Sequence, residues 1–150
     1  AMYERILLST DGGIASDAAE THAIELAAEH DATLHVLFVI DERVVNAYSG
    51  DEYVDEAEGP EHGLEELGEK TLSRIRKAAT EAGVETVDVI RQGDPATTIV
   101  QYADDEEMDM LVLGTKRRAE EYRALLGSVT DRVLRLTSQP AAVVKTEVSE

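Results

Sequence analysis

Short uninterrupted apolar runs alternate along this chain with longer stretches whose apolar residues recur every three or four positions. The first run, Ile6-Leu7-Leu8 within residues 5–10, predicts a buried strand, and Asp11-Gly12-Gly13 marks the turn after it. Ser16 is placed to cap a helix reaching about His30, with Ala19, Ala23, Ile24, Leu26 and Ala27 on one stripe. Leu34 to Ile40 predicts a second strand. Residues 41–63 then break the pattern. They are acidic, carry Gly50, Gly59, Pro60 and Gly63, and read as a surface excursion rather than a domain boundary. Leu64 to Ala82 resumes helical spacing, with Leu64, Leu67, Leu72, Ile75 and Ala79 facing inward and Gly83 past the end. Val84 to Gln92 alternates apolar and polar positions, as an edge strand does. Gly93-Asp94-Pro95 starts another helix, with Asp94 as its cap and Ile99, Val100 and Ala103 packing it to about Glu107. Met110 to Leu113 is a fourth strand, ended by Gly114. A last helix opens at Ser128, where Asp131 completes a capping box, and Gln139-Pro140 stops it. Ala141 to Val148 is a fifth strand.

Strands and helices in strict alternation, with apolar runs in most of the strands, imply a parallel sheet covered on both faces. The expected fold class is therefore α/β: one doubly wound, Rossmann-like domain over residues 1–150. Right-handed crossovers restrict its topology to a few alternatives.

Residues 109–130 carry the most chemistry. Gly127-Ser128 opens a helix, whose first turn leaves backbone N–H groups unpaired at the positive end of the helix dipole. A glycine at the entry lets an anion approach the backbone closely. Lys116, Arg117, Arg118 and Arg123 make the preceding loop a local positive island. Together these features favour a phosphate; the plainer alternative is a capped helix behind a solvated charge run. The spacing Gly-x-x-x-x-Gly-Lys-Ser/Thr of a Walker A loop is absent, although Gly114-Thr115-Lys116 superficially suggests one.

Gly114-x-x-Arg117, nine further residues and Gly127-Ser128 resemble the Gly-x-x-Gly-x9-Gly-Ser/Thr motif of the ATP-binding universal stress proteins. Arg117 departs from it, standing where that family has its second glycine. The resemblance extends over nearly the whole chain outside 41–63: Ser9-Thr10-Asp11-Gly12, Val39-Ile40-Asp41-Glu42-Arg43, Gly93-Asp94-Pro95 and the closing Pro140-Ala-Ala-Val-Val-Lys145. It implies the strand order 3-2-1-4-5, with the ligand crevice where the winding reverses between the first and fourth strands. It also implies a site. Asp11 would meet the ribose or adenine end, Ser9 and Thr10 would flank the base, and Val39 would lie against the adenine. Leu113, Gly114, Thr115 and Arg117 would belong to the nucleotide-binding set, with Arg117 either reaching the phosphates or crowding them, and Gly127, Ser128, Val129 and Thr130 would contact phosphate and ribose. The implied ligand is ATP or AMP, with Mg²⁺ or Mn²⁺ accompanying the nucleotide and no protein ligand for the metal. The implied partner is a second copy, paired through the last strand, Ala141–Val148.

Composition changes this picture at its margins. The 14 basic residues face 32 acidic ones, a net charge of −18, which opposes nucleic acid and anionic membranes. Ten Arg against four Lys within that excess suggests a salt-rich cytosol. There is no cysteine, hence no disulfide or thiolate chemistry. No apolar run approaches the ~18 residues of a membrane span, no signal peptide is expected, and Ala1 before Met2 reads as an expression remnant. A cytoplasmic protein is expected. His22, His30, His35 and His62 lack metal spacing, and no nucleophile–base arrangement is evident. The expectation is a nucleotide-binding stress switch with at most slow hydrolysis. The alternatives are a dimeric interaction module that has lost the nucleotide, or a true ATPase.

Overall fold

The computed structural model of the chain describes residues 3–11, 14–43, 60–118 and 128–148, with side chains over 3–11, 17–43, 63–114 and 128–145. Among the described residues, five strands, β1 (Arg5–Thr10), β2 (Thr33–Asp41), β3 (Thr86–Gly93), β4 (Met110–Arg118) and β5 (Ala141–Val148), alternate with four helices. These are α1 (Ile14–His30), α2 (Pro60–Glu81), α3 (Pro95–Asp105) and α4 (Ser128–Leu136). All strand pairs are parallel and the order is β3-β2-β1-β4-β5, the doubly wound order expected. Leu7 of β1 stands in register with His35 of β2 on one side and Leu111 of β4 on the other.

Alternation along the strands divides the core into two layers. Ile6, Leu8, Leu34, Val36, Phe38 and Val112 meet Ala19, Ala23 and Ala27 of α1 and Leu72, Ile75 and Ala79 of α2. Leu7, Leu37, Leu111 and Leu113 meet Ile99, Tyr102 and Ala103 of α3 and Val133 of α4. The alanine stripe of α1 brings that helix close to the sheet because no larger side chain holds it off.

Element boundaries differ from the pattern in instructive places. Helix α2 begins at Pro60, four residues before Leu64, because proline's fixed φ suits a first helical position. The excursion therefore loses its last residues to α2 and Asp41 to β2, and 44–59 lie outside the described residues. Helix α1 starts at Ile14, ahead of the expected cap at Ser16. Gly114 does not end β4. The strand continues to Arg118 because β5 runs beside it, pairing Gly114 with Val144 and Arg117 with Glu147.

Leu67, expected to face inward, is 42% exposed, and Gly68 takes its place in the stripe. A Cβ built at Gly68 would lie 2.9 Å from the Phe38 ring, so the glycine is where α2 touches the sheet. Gly68→Ala is expected to destabilise the fold by about 1 kcal/mol in urea unfolding. Overpacking costs roughly 1–3 kcal/mol and exceeds the ~1 kcal/mol gained in helix propensity. An unchanged or raised midpoint would show that Phe38 can move aside. Gly83, at φ 77°, ends the C-terminal turn of α2 in the left-handed conformation that glycine adopts without strain.

His35 is buried on β2, its Nδ1 2.7 Å from the Tyr102 hydroxyl, and Arg91 lies over the Tyr102 ring. Burial holds the imidazole below its ordinary value of 6.5, with Glu106 acting the other way and Arg5 adding to the lowering. The unfolded chain therefore binds this proton more readily. Its contribution to stability is complete above about pH 6.5 and is lost as the pH falls toward the folded-state value. An NMR titration should place the His35 ring below 6.5, with thermal stability declining over the same interval. Titration at or above 6.5 would contradict burial as the controlling effect.

Candidate functional site

Between β1 and β4 the winding reverses, and the connections from the two strands leave toward opposite faces of the sheet. No helix can cover the gap left there, so a crevice opens at the carboxyl ends of the strands. It is a cleft of about 230 Å³. Ser9, Thr10 and Asp11 enter it from the end of β1, Val39 and Asp41 from the end of β2, and Leu113 and Gly114 from β4. Pro95 and Ile99 of α3 close one side, and Val129 and Thr130 place the first turn of α4 on another. The lining is split by chemistry: Val39, Pro95, Ile99, Leu113 and Val129 are apolar, while carboxylates and hydroxyls come from the β1 and β2 ends.

Each wall is fixed by local chemistry. The Thr130 hydroxyl, in a buried side chain, donates to the Gly114 carbonyl at 3.3 Å and ties the start of α4 to β4. Asp94 caps α3, accepting from the Thr97 amide at 3.1 Å and its hydroxyl at 2.8 Å. Pro95 follows at the first helical position, as the Gly-Asp-Pro sequence predicts. Arg132 of α4 reaches both Asp94 oxygens, at 3.1 and 3.2 Å, and so joins the two helices beside the cleft. These bonds hold the Asp94 carboxyl below the usual carboxylate range, those from Thr97 most strongly. Arg43 grips Asp41 from its backbone amide and its guanidinium, with Nη2 2.7 Å from Oδ2, and lowers that carboxyl in the same way. Asp131, expected to close a capping box with Ser128, hydrogen-bonds Arg135 one turn on at 3.0 Å.

Of the residues singled out from the sequence, Ser9, Thr10, Asp11, Val39, Leu113, Gly114, Val129 and Thr130 share this cleft. Ser128 begins α4 beside it. Thr115 and Arg117 lie on the continuation of β4, where the backbone alone is described, and Gly127 and the 119–127 stretch lie outside the described residues. Asp41, Pro95 and Ile99 also line the cleft and were not expected there. Asp41 was legible in principle, since it closes β2 as Asp11 follows β1. Pro95 and Ile99 needed the distance between α3 and the sheet. Among the described residues, no group of three or more His, Cys, Asp or Glu is placed to hold a metal ion. None of their helices is long and apolar enough to cross a membrane.

Residues 2–145 match the family model described as the universal stress protein family. Universal stress protein MJ0531 of Methanocaldococcus jannaschii is 35% identical over 144 residues, covering 96% of this chain and 83% of that one. The structure of protein MJ0577 from the same organism superposes with a TM-score of 0.79 at 28% identity, covering 99% of this chain and 100% of the other. A more distant fold relative from Arabidopsis thaliana, 18% identical with a TM-score of 0.66, covers 95% of this chain and 91% of its own and was solved with AMP bound.

Proposed function

This chain belongs to the universal stress protein family, and from that premise we propose that its cleft binds an adenine nucleotide, ATP or AMP. The observation that carries the reading is the composition of the cleft at the β1–β4 reversal. An apolar wall of Val39, Ile99 and Leu113 faces a carboxylate end at Asp11, beside the first turn of a helix. A base can lie on the wall, Asp11 can accept from the ribose hydroxyls, and the amides opening α4 can meet phosphate. Gly127, Ser128, Thr115 and Arg117 complete the phosphate end in this reading. Mg²⁺ or Mn²⁺ would arrive with the nucleotide rather than on protein ligands. The AMP bound to the Arabidopsis protein supports the ligand class.

The protein then acts as a nucleotide-dependent switch in a stress response, in the cytoplasm. Hydrolysis is slow at most in this reading, because the sequence presents no evident general base for it. Release of nucleotide from heat-denatured protein after loading with ATP and gel filtration tests the reading directly. Stoichiometric adenine nucleotide in the supernatant supports it, and none at any loading concentration overturns it.

One observation favours a second reading. Arg117 stands at the motif's second glycine, and its backbone is committed to the β4–β5 ladder opposite Glu147. A protein whose phosphate end is blocked there would work through contacts alone, as a homodimer joined along the edge strand β5 (Ala141–Val148). That protein would bind no nucleotide and remain dimeric on gel filtration.

A further inference from the structure

Glu20 is a buried carboxylate that the cleft does not use directly. Its side chain is 5% exposed, on α1, behind the end of β1. One oxygen accepts from the Thr10 hydroxyl at 2.9 Å, and the other accepts from Arg74 Nη1 of α2 at 2.8 Å. Thr10 is itself buried, at the last position of β1, with Asp11 next in the chain and Ser9 before it, all three on the cleft. A carboxylate withdrawn from water is costly unless both oxygens are satisfied, and here two partners from different elements satisfy them. An apolar residue at position 20 would fill the same space against the alanines of α1 without that requirement. What the carboxylate adds is direction: it accepts from one hydroxyl in one rotamer.

We propose that Glu20 is a positioning residue for the cleft: held by Arg74, it locks the Thr10 side chain toward α1 and thereby fixes the backbone that carries Ser9 and Asp11. Strand alternation supports the assignment. Thr10 shares the α1 face with Ile6 and Leu8, so its hydroxyl reaches Glu20 while its neighbours Ser9 and Asp11 border the cleft beside it. Arg74 is half exposed on α2, so the lock has its outer end at the protein surface, on a different helix from any that lines the cleft. The Arg76–Asp88 pair on the same helix ties α2 to β3 instead and lies apart from the β1 end.

The inference rests on the adenine-nucleotide reading and is tested by equilibrium dialysis of ATP against the full chain and its variants, at temperatures where circular dichroism shows each folded. Glu20→Gln keeps the shape but can no longer accept on both oxygens, and Thr10→Val removes the donor. Each is expected to weaken ATP about tenfold. Their combination weakens it no further than either alone, since both break one coupling. Arg74→Gln has the same direction, Arg74→Lys restores affinity, and Arg76→Gln leaves it unchanged. Should Glu20→Gln fail to fold, Arg74→Gln decides the matter. Unchanged affinity in the folded Glu20→Gln or Arg74→Gln protein overturns the positioning role while leaving nucleotide binding intact. A native chain that takes up no ATP overturns the nucleotide reading, and this inference with it.

Discussion

Val39→Trp removes ATP binding and leaves a folded protein. Val39 stands third from the end of β2, half-buried, with its side chain on the apolar wall of a cleft of about 230 Å³. An indole there occupies the space an adenine would take. Val39 packs against the edge of the layer that holds Leu37 and Ile99 and also borders the cleft, so the added volume can be taken up in the cleft. The loss in affinity is expected to exceed about a hundredfold, nearly 3 kcal/mol of binding free energy. Stability should change by less than about 1 kcal/mol. The check is a fluorescence titration with a labelled ATP analogue, paired with urea unfolding of the same sample. Undiminished binding by a folded Val39→Trp protein would place the base elsewhere and remove Val39 from the site.

Leu111→Ala gives the largest loss of stability. Leu111 is wholly buried in β4, in register with Leu7 of β1 and Ala141 of β5, within the layer that α3 and α4 cover. Removing its branched end loses transfer free energy and leaves a cavity that two flanking strands and two helices cannot close. Such replacements cost about 2–5 kcal/mol. Against a typical total stability of ~5–15 kcal/mol, that is a large fraction. Urea unfolding should show the midpoint falling with an unchanged slope, since the denatured surface is the same. A loss below about 1 kcal/mol would mean that the layer repacks freely, contrary to the convergence of β1, β4 and β5 on this residue. The two variants separate the roles of the central strands, one lining the ligand space and the other supporting it.

Much of this architecture was legible in the sequence because its signals are local. Apolar runs gave the strands, Asp94-Pro95 gave a helix start, and Gly83 gave a helix end, each through chemistry confined to a few residues. Strand order was not local. It came from resemblance, and the sheet bears it out. The misplacements have one cause, the effect of a neighbour distant in sequence. Leu67 fits a helical stripe, but Gly68 is the residue that faces Phe38, and only the closeness of α2 to the sheet makes a glycine the inward position. Gly114 reads as a strand end, yet β5 supplies ladder partners beyond it.

The candidate site followed the same rule. Asp11, Val39, Gly114 and Thr130 were accessible through the family resemblance, and the cleft gathers them. Ile99 and Pro95 were not, because a helix side chain enters the site only once α3 is docked on β2 and β3. The Glu20–Thr10–Arg74 group was invisible for a related reason. Its three members come from α1, β1 and α2, and nothing in the sequence separates Glu20 from the solvated acids around it.

The central claim is that the cleft takes an adenine nucleotide, and isothermal titration of ATP, AMP and GTP into the native chain, at low and high salt and beside an Arg117→Gly variant, tests it most directly. The account predicts saturable binding of ATP or AMP with GTP clearly weaker, and a reduced affinity in Arg117→Gly if the arginine meets the phosphates. Flat titrations with all three nucleotides, or GTP bound as well as ATP, would contradict it.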